Sequence, residues 1–238
     1  MKNNFDTCLV NSTGQLGFEN AQHAFEFWFE KIMNYGDIQQ NTLALRNIGF
    51  YIMNPSDNNI KTDWRKWNHK YAEREWNWYM SHSRDVSELQ KHAPTWKNMH
   101  GGDCQVNSNY GWLWSRNKQL DKVMKMLSRN PSTRRAYITL YDGKEIDNYD
   151  YDTPCTLSIG FSIEKHKLNM EVLMRSNDLV FGFCNDQYCF SVLQARVAAY
   201  LDLDIGAYYH YASNLHVYLP NSGIYPEFIN SKISEYEI

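Results

Sequence analysis

The chain lacks several features that mark large classes of protein. No run of about 18 apolar residues occurs, so we expect no membrane span. Residues 1–12 lack the apolar core of a signal peptide. A net charge of −3 is not the basic excess of a nucleic-acid-binding surface, so we expect no direct nucleic-acid binding. The 5 cysteines are an odd number without a CxxC pair, which favours free thiols in a reducing, cytoplasmic compartment and predicts no metal site.

What is present is typical of a globular protein with one sizeable core. The 238 residues are 43% hydrophobic and 21% charged. Aromatic residues make up 15% of the chain, with 8 Trp and 17 Tyr, so large rings must fill much of the core. Neither a linker nor an internal repeat divides the sequence. We therefore predict one α+β domain over residues 1–238.

Hydrophobic periodicity predicts helices over residues 20–35, 62–81, 119–128 and 186–201. It predicts strands over residues 42–53, 136–141, 155–163 and 168–174, with a further strand over 207–211. In the second helix, Asp63 is expected in the first turn, and Trp64, Trp67, Tyr71 and Trp78 on one face. Glu75 falls on that same aromatic face, where a carboxylate must find a polar partner or keep its proton.

Residues 174–188 concentrate polar groups between a predicted strand end and a predicted helix start. Around Gly182 they place Arg175, Ser176, Asp178 and Asp186, with apolar residues in the gaps. Such a position suits the binding of a small polar ligand. The plain alternative is a polar turn between two core elements.

The order Arg-Ser, Asp, Gly and then an acid resembles the nucleotide-binding segment of the thymidylate synthase family. Within it, the resemblance is greatest to the branch that hydroxymethylates deoxycytidylate in tailed bacteriophages. Further segments match the family in the same order, which makes the resemblance specific. These are Arg74-Glu75 with Trp78-Tyr79, residues 107–112, Arg134-Arg135, Cys155 and residues 215–218. The resemblance implies a thymidylate synthase-like α+β fold, a mixed β-sheet packed by helices, with sheets back to back in a homodimer.

The resemblance also implies catalytic roles. Cys155 would be the nucleophile that adds to carbon 6 of a pyrimidine, with Tyr110 near it. Without the family match, a lone strand cysteine is usually buried and inert. We expect Arg175 to lower the pKa of this thiol. Glu75 would hold a water molecule and pass protons near the reacting base.

Binding roles follow from the same resemblance. Arg175 and Ser176 would bind the substrate phosphate, with Arg134 and Arg135 reaching across the dimer to the partner's phosphate site. His216 and Tyr218 would contact the sugar 3′-hydroxyl. The folate site would include Asp178 at the pterin, together with Trp96 and Gly182.

Asp186 is expected to decide the substrate. Family members that read uracil carry Asn at this point, whereas an Asp accepts from the 4-amino group of cytosine. Asn185 is adjacent, and counting from Gly182 selects Asp186. The predicted reaction converts dCMP, 5,10-methylenetetrahydrofolate and water to 5-hydroxymethyl-dCMP and tetrahydrofolate, in the host cytoplasm if the protein is phage-encoded.

Three alternatives stay open at the level of the sequence. The first is methylation of dCMP or dUMP by hydride transfer from the folate. The second is a CMP hydroxymethylase, since the sugar preference rests on weak features. The third is a non-catalytic subunit of a nucleotide-synthesis complex, although such a subunit has no need of the Cys155 thiol.

Overall fold

The computed structural model describes residues 8–10 and 14–236, which form the predicted α+β fold. The interpretation of residues 1–12 falls mostly outside this part of the chain. None of the helices in the described ranges is long and apolar enough to cross a membrane. The helices are α1 (Ala21–Tyr35), α2 (His69–Ser81), α3 (Tyr110–Ser115), α4 (Gln119–Arg129), α5 (Cys184–Leu201) and α6 (Glu227–Ile233). The strands are β1 (Cys8–Val10), β2 (Leu16–Phe18), β3 (Asp37–Gln39), β4 (Thr42–Ile52), β5 (Tyr137–Thr139), β6 (Thr156–Glu164), β7 (Lys167–Met174), β8 (Asn177–Asp178) and β9 (Asp204–Tyr218).

The strands form one mixed sheet in the order β1-β2-β4-β9-β7-β6-β5, with β3 added to β4 and β8 added to β9. The long strand β9 lies at its centre, antiparallel to β4 and parallel to β7. Side chains on β9 alternate between faces, so Tyr208 and His210 are fully buried while Tyr209 is only half-buried. The predicted mixed sheet packed by helices is therefore confirmed.

Helix α5 is the central helix of the core. The sheet covers one side of it, through β7 and β9, and α2 and α4 pack on other sides. Its buried residues consequently surround the helix instead of forming one stripe, from Cys184 and Phe190 to Leu193 and Val197. Burial of this helix fixes the orientation of its first turn, where the predicted base-reading residue lies.

The predicted helix over residues 62–81 is wrong in its first half. Helix α2 begins at His69, and the side chain of Asn68 caps it by accepting from the Tyr71 backbone N–H at 3.2 Å. Lys66 has a positive φ of 48°, which a continuous helix does not allow. Asp63 therefore lies outside any helix. The non-helical segment lets Trp64 pack against Phe29 of α1, with ring centroids 4.5 Å apart.

Other element boundaries differ by a few residues. Strand β6 begins at Thr156, so Cys155 lies just before the strand and not inside it. Strand β9 extends from Asp204 to Tyr218, far beyond the predicted 207–211. The polar C-terminal stretch contains a helix, α6, which packs through the buried Ile229 and Ile233. The helix predicted over residues 20–35 is confirmed, with Asn20 as its N-cap and Gly36 after its end.

Candidate active site

The candidate site forms where several element ends meet. Arg175 follows β7, Asp178 ends β8, and Asp186 lies in the first turn of α5. Strand β8 adds to the far half of β9 through Asn177 opposite Leu215 and Asp178 opposite His216. This short pairing brings the polar segment of residues 174–188 beside His216 and Tyr218.

Cys155 lies directly against Arg175. The Arg175 backbone N–H donates to the Cys155 carbonyl at 2.8 Å, and its Nη2 lies 3.6 Å from the Cys155 sulfur. The same guanidinium donates to the carbonyls of Thr153 at 2.8 Å and Pro154 at 3.1 Å. Arg175 thus fixes the chain that leads to the thiol.

Arg175 does lower the pKa of Cys155, as expected, but the net shift is upward, so the low pKa expected for this thiol is wrong. Burial raises the pKa of this thiol to about 11, and the charge of Arg175 only partly opposes that rise. Nearby carboxyls, Asp186 first among them, raise it further. Burial is the largest of these effects on the pKa, so the thiol is protonated at neutral pH.

Asp152 holds the segment before Cys155, and the sequence did not single it out. One carboxylate oxygen accepts from the backbone N–H groups of Asn107 and Ser108, both at 2.7 Å. The other accepts from the Ser108 hydroxyl at 2.6 Å. The Asn107 side chain returns a bond to the Asp152 carbonyl at 2.8 Å. Two loops are thereby joined three residues before the thiol.

Tyr110 lies at the start of α3, with its ring stacked on Phe190 at 5.5 Å. Burial raises the pKa of its hydroxyl well above the ordinary value, and interactions with Asp186 and Cys155 raise it further. The following Gly111 permits a close approach, because a Cβ there would lie 1.7 Å from the Tyr79 carbonyl oxygen. The role of Tyr110 beside the thiol stays a prediction, and its electrostatic interaction with Cys155 supports it.

Glu75 is buried in α2, where it has polar partners and a pKa raised toward neutrality. The Tyr79 hydroxyl donates to its Oε1 at 2.9 Å. Burial raises the pKa of Glu75 to about 7, although hydrogen bonding to Tyr79 and Tyr71 acts in the opposite direction. The indole N–H of Trp96 donates to the Tyr71 hydroxyl at 2.8 Å, so Trp96 supports the same cluster. A carboxyl with a pKa near neutrality can both give and take a proton.

Asp186, and not Asn185, faces the other polar groups. Its Oδ2 accepts from Asn177 Nδ2 at 2.9 Å, whereas Asn185 is engaged by the indole N–H of Trp67, also at 2.9 Å. Gly182 lies against this pair, because a Cβ there would meet Asn177 Nδ2 at 3.0 Å. Burial, and then the charge of Glu75, raise the pKa of Asp186 well above its ordinary range. A glycine at 182 therefore leaves room for the amide that holds the acid.

Asp178 shapes the turn between β8 and α5. Its carboxylate accepts from the backbone N–H groups of Val180 at 2.9 Å and Phe181 at 3.2 Å. It also accepts from the hydroxyl of Tyr225, a residue of the C-terminal segment. Tyr225 in turn accepts from the Tyr218 backbone N–H at 3.2 Å. The C-terminal segment therefore closes over this side of the site.

The remaining predicted residues divide into two groups. His216 is buried, with its pKa lowered chiefly by burial, and its ring lies 5.1 Å from that of Tyr218. Ser176 is half-buried beside Arg175. Arg134 and Arg135, by contrast, are exposed before β5 and do not join the cluster within this chain.

Comparison with known proteins identifies the family. A family model described as thymidylate synthase matches residues 51–232, well over half of the chain. The chain belongs to the thymidylate synthase family. Thermostable thymidylate synthase A from Bacillus subtilis has the same fold, with a TM-score of 0.67 over 83% of this chain and 79% of that chain, at 24% identity.

Similar relatives in the thymidylate synthase family are named for different reactions. Deoxycytidylate 5-hydroxymethyltransferase of Enterobacteria phage T4 is 37% identical over 129 residues, covering 50% of this chain and 52% of the relative. Deoxyuridylate hydroxymethyltransferase of Bacillus phage SP01 is 35% identical over 108 residues, covering 44% and 28%. Thymidylate synthase 1 of Bacillus spizizenii is 30% identical over 162 residues, covering 64% and 57%. The chain thus spans about half the length of the curated relatives it matches, or less.

Several contributors to the site of this thymidylate synthase family member escaped the sequence reasoning. Asn177 lies inside the polar segment of residues 174–188, between Ser176 and Asp178, so its position in the sequence did point to the site. The sequence pointed less clearly to Asp152, which is the last acidic residue before Pro154-Cys155. Nothing in the sequence pointed to Tyr225, because the residues around it read as a polar tail.

Proposed function

We propose that the chain hydroxymethylates dCMP, using 5,10-methylenetetrahydrofolate and water. The observation that carries this proposal is Asp186, a buried acid whose Oδ2 is occupied by the Asn177 amide. Burial, and then the charge of Glu75, raise its pKa well above the ordinary range, which favours the protonated form of the acid. In this proposal, the carboxyl group of Asp186 selects cytosine over uracil.

A protonated carboxyl and cytosine are complementary. The acid donates to the lone pair on N3 and accepts from the 4-amino group, and a transfer of the proton to N3 leaves the pairing intact. Uracil presents N3–H and a carbonyl at carbon 4, so one donor would face another as long as the proton of the acid stays on the oxygen opposite N3. Buried polar groups left unpaired cost about 1–3 kcal/mol each, which supports strong discrimination.

Cys155 acts as the nucleophile in the proposed reaction. Cys155 is partly exposed, so water can take the thiol proton as Arg175 stabilises the thiolate. The sulfur adds to carbon 6, and carbon 5 becomes nucleophilic. Since the pKa of Cys155 is about 11, the thiolate forms only as substrate engages it.

The folate would supply the one-carbon unit that carbon 5 takes up. Asp178, Gly182 and the half-exposed ring of Trp96 suit a flat heterocycle that both stacks and forms hydrogen bonds. Asp178 accepts three hydrogen bonds within the chain, and a carboxylate can accept a fourth from a ligand.

Glu75 directs the last step. An exocyclic methylene forms on carbon 5 once carbon 5 loses its proton and the carbon–nitrogen bond to the folate breaks, releasing tetrahydrofolate. Glu75 then takes a proton from water as the oxygen adds to that methylene, and the Cys155 thiolate leaves carbon 6. A pKa of about 7 suits a group that must be charged in one half of the cycle and neutral in the other. The neighbouring hydroxyls of Tyr79 and Tyr71 hold the carboxylate in place.

We also propose a homodimer. Helices α1 and α5 pack on one face of the sheet. On its other face Tyr51 and Tyr209 lie with ring centroids 4.8 Å apart, and Tyr137 bonds to Glu171. Stacking of two such faces would carry the exposed Arg134 and Arg135 toward the partner's Arg175 and Ser176, where they would complete the phosphate site.

The test is mass analysis of the product from dCMP and the folate in oxygen-18 water. We expect a hydroxymethyl product that carries solvent oxygen, with no rise in dihydrofolate absorbance. A methyl product with that rise would establish the hydride-transfer alternative. CMP and dUMP are assayed in parallel to test sugar and base preference. Loss of turnover in Cys155→Ala, with turnover kept in Cys104→Ala, is required, and a wild-type chain without turnover would support a non-catalytic subunit.

A further inference from the structure

A chain of buried hydrogen bonds leads away from Asp186 into the core. Asn177 Nδ2 donates to Asp186 Oδ2 at 2.9 Å, and Asn177 Oδ1 lies 3.1 Å from His210 Nε2. On the far side of that ring, His210 Nδ1 lies 2.8 Å from the Tyr208 hydroxyl. Tyr208 and His210 are fully inaccessible to solvent, and Asn177 is 3% exposed. These three side chains, which we name the relay, are therefore shielded from water.

The direction of these bonds follows from the donors and acceptors available. Burial lowers the pKa of His210 to about 3, so the ring is neutral and carries one N–H. Burial holds the pKa of Tyr208 well above its ordinary value, so the phenol keeps its hydrogen. Among the described residues, the acceptor in reach of that hydrogen is His210 Nδ1. Nε2 then carries the ring proton, and the tautomer is decided by the tyrosine.

The tautomer orients the amide in turn. Since His210 Nε2–H donates to Asn177 Oδ1, the Asn177 NH₂ group must point at Asp186 Oδ2. An oxygen that accepts this bond is disfavoured as a site for the proton. When Asp186 is protonated, its proton therefore lies on Oδ1.

We propose that Tyr208, His210 and Asn177 are positioning residues that fix which oxygen of Asp186 donates and which accepts, and so set the preference for cytosine over uracil. The inference rests on the proposed reading of the base by Asp186. The relay reaches the site through the hydrogen bond from Asn177 to Asp186, so it acts through the acid. Its packing is independent of its polarity, because Phe50 and Phe183 hold the His210 ring at 5.3 and 5.2 Å.

Tyr208→Phe is the sharpest test, since it keeps the ring and removes one hydroxyl that His210 and Asn177 separate from the acid. Without that donor, the two His210 tautomers become similar in energy, and the Asn177 amide can reverse. We expect the ratio of kcat/KM for dCMP to that for dUMP to fall by about fivefold, the value of one neutral hydrogen bond. His210→Phe should lower the ratio by at least as much.

Tyr211→Phe is the matched control. It lies on the same strand but on the opposite face, and its hydroxyl donates to Asn47 at the same distance, 2.8 Å. Its dCMP-to-dUMP ratio should equal that of the wild type. A misfolded fraction lowers both activities together and leaves the ratio unchanged, so the ratio separates positioning from stability.

Two further readouts complete the test. In Cys155→Ala protein, calorimetric affinities for dCMP and dUMP should converge when Tyr208→Phe is added. Nitrogen NMR of the same protein should find His210 protonated on Nε2 and bare on Nδ1. A wild-type preference for dCMP that survives both relay substitutions, or a proton on Nδ1, would overturn the relay alone. A wild-type chain indifferent to dCMP would instead overturn the proposed function.

Discussion

Replacing Glu75 with glutamine should stabilise the protein while removing its activity. The ordinary pKa of a glutamate is 4.5, and burial raises that of Glu75 to about 7. The folded protein thus holds this proton more tightly than the unfolded chain does. Stability from this group is greatest below pH 4.5, declines as the pH rises toward 7, and is lowest above it.

The size of the effect follows from those two values. At about 1.36 kcal/mol per pH unit, the interval from 4.5 to about 7 corresponds to about 3 kcal/mol of destabilisation in the ionised form. Glutamine cannot ionise, and its Oε1 still accepts from the Tyr79 hydroxyl. Loss of the Glu75 charge near Asp186 acts in the same direction. Glu75→Gln should therefore gain up to about 3 kcal/mol over the wild type at pH 8 and about nothing at pH 4.5.

Urea unfolding at a series of pH values measures this difference. Glu73→Gln is the control, because Glu73 is exposed on the same helix and lies 3.6 Å from His69. Its stability relative to the wild type should not rise with pH. Turnover of Glu75→Gln should fall by about 100-fold or more. A Glu75→Gln protein whose relative stability is the same at both ends of the pH series would refute the view that Glu75 is a desolvated acid.

Three other predictions address the base, the thiol and the loop before it. Asp186→Asn should shift the dCMP-to-dUMP ratio by about 100-fold or more toward dUMP, and unchanged selectivity would refute the assignment. The rate at which iodoacetamide alkylates Cys155, after subtraction of the rate in Cys155→Ala, should rise about tenfold per pH unit from pH 7 to 9, because the pKa of the thiol is about 11. A rate that reaches a plateau below pH 8 would contradict that value. Asp152→Asn should lower the free energy of unfolding by about 1–3 kcal/mol and reduce kcat, because a donor would face the Asn107 and Ser108 amides. Asp150→Asn, at an exposed neighbouring position, should change neither the free energy of unfolding nor kcat. Equal losses in the two variants would show that the hydrogen bonds of Asp152 to Asn107 and Ser108 are unimportant.

The sequence predicted where most helices lie, but not all of their ends. Periodicity identified α1, α4 and α5 because each has an apolar face or interior that the chain alone reveals. It failed over residues 62–68, where aromatic spacing suggested a helix. There Trp64 packs against α1, and the Arg65 side chain donates to the Val180 carbonyl, so contacts distant in the sequence override the local pattern.

The pKa of Cys155 shows a second limit of sequence reasoning. A cysteine beside an arginine predicts a reactive thiolate, yet burial and three nearby acids raise the pKa instead. Desolvation depends on everything packed around the sulfur, and no motif encodes that sum. For the same reason, the sequence predicted only that Glu75 would either find a polar partner or stay protonated. It did not predict how far the pKa of Glu75 is raised.

By itself, the sequence determined which residue types are available and in what order: a thiol, a buried glutamate, an arginine and an acid where relatives that read uracil carry an amide. Those are properties of covalent chemistry and spacing, so they survive without coordinates. Only the tertiary structure decided how each group is held, because the pairing of β8 with β9 brings Asn177 to Asp186 and His210 to Asn177. Hydrogen-bond direction and desolvation arise between segments that lie far apart in the chain, and they exist only once the core has closed around them.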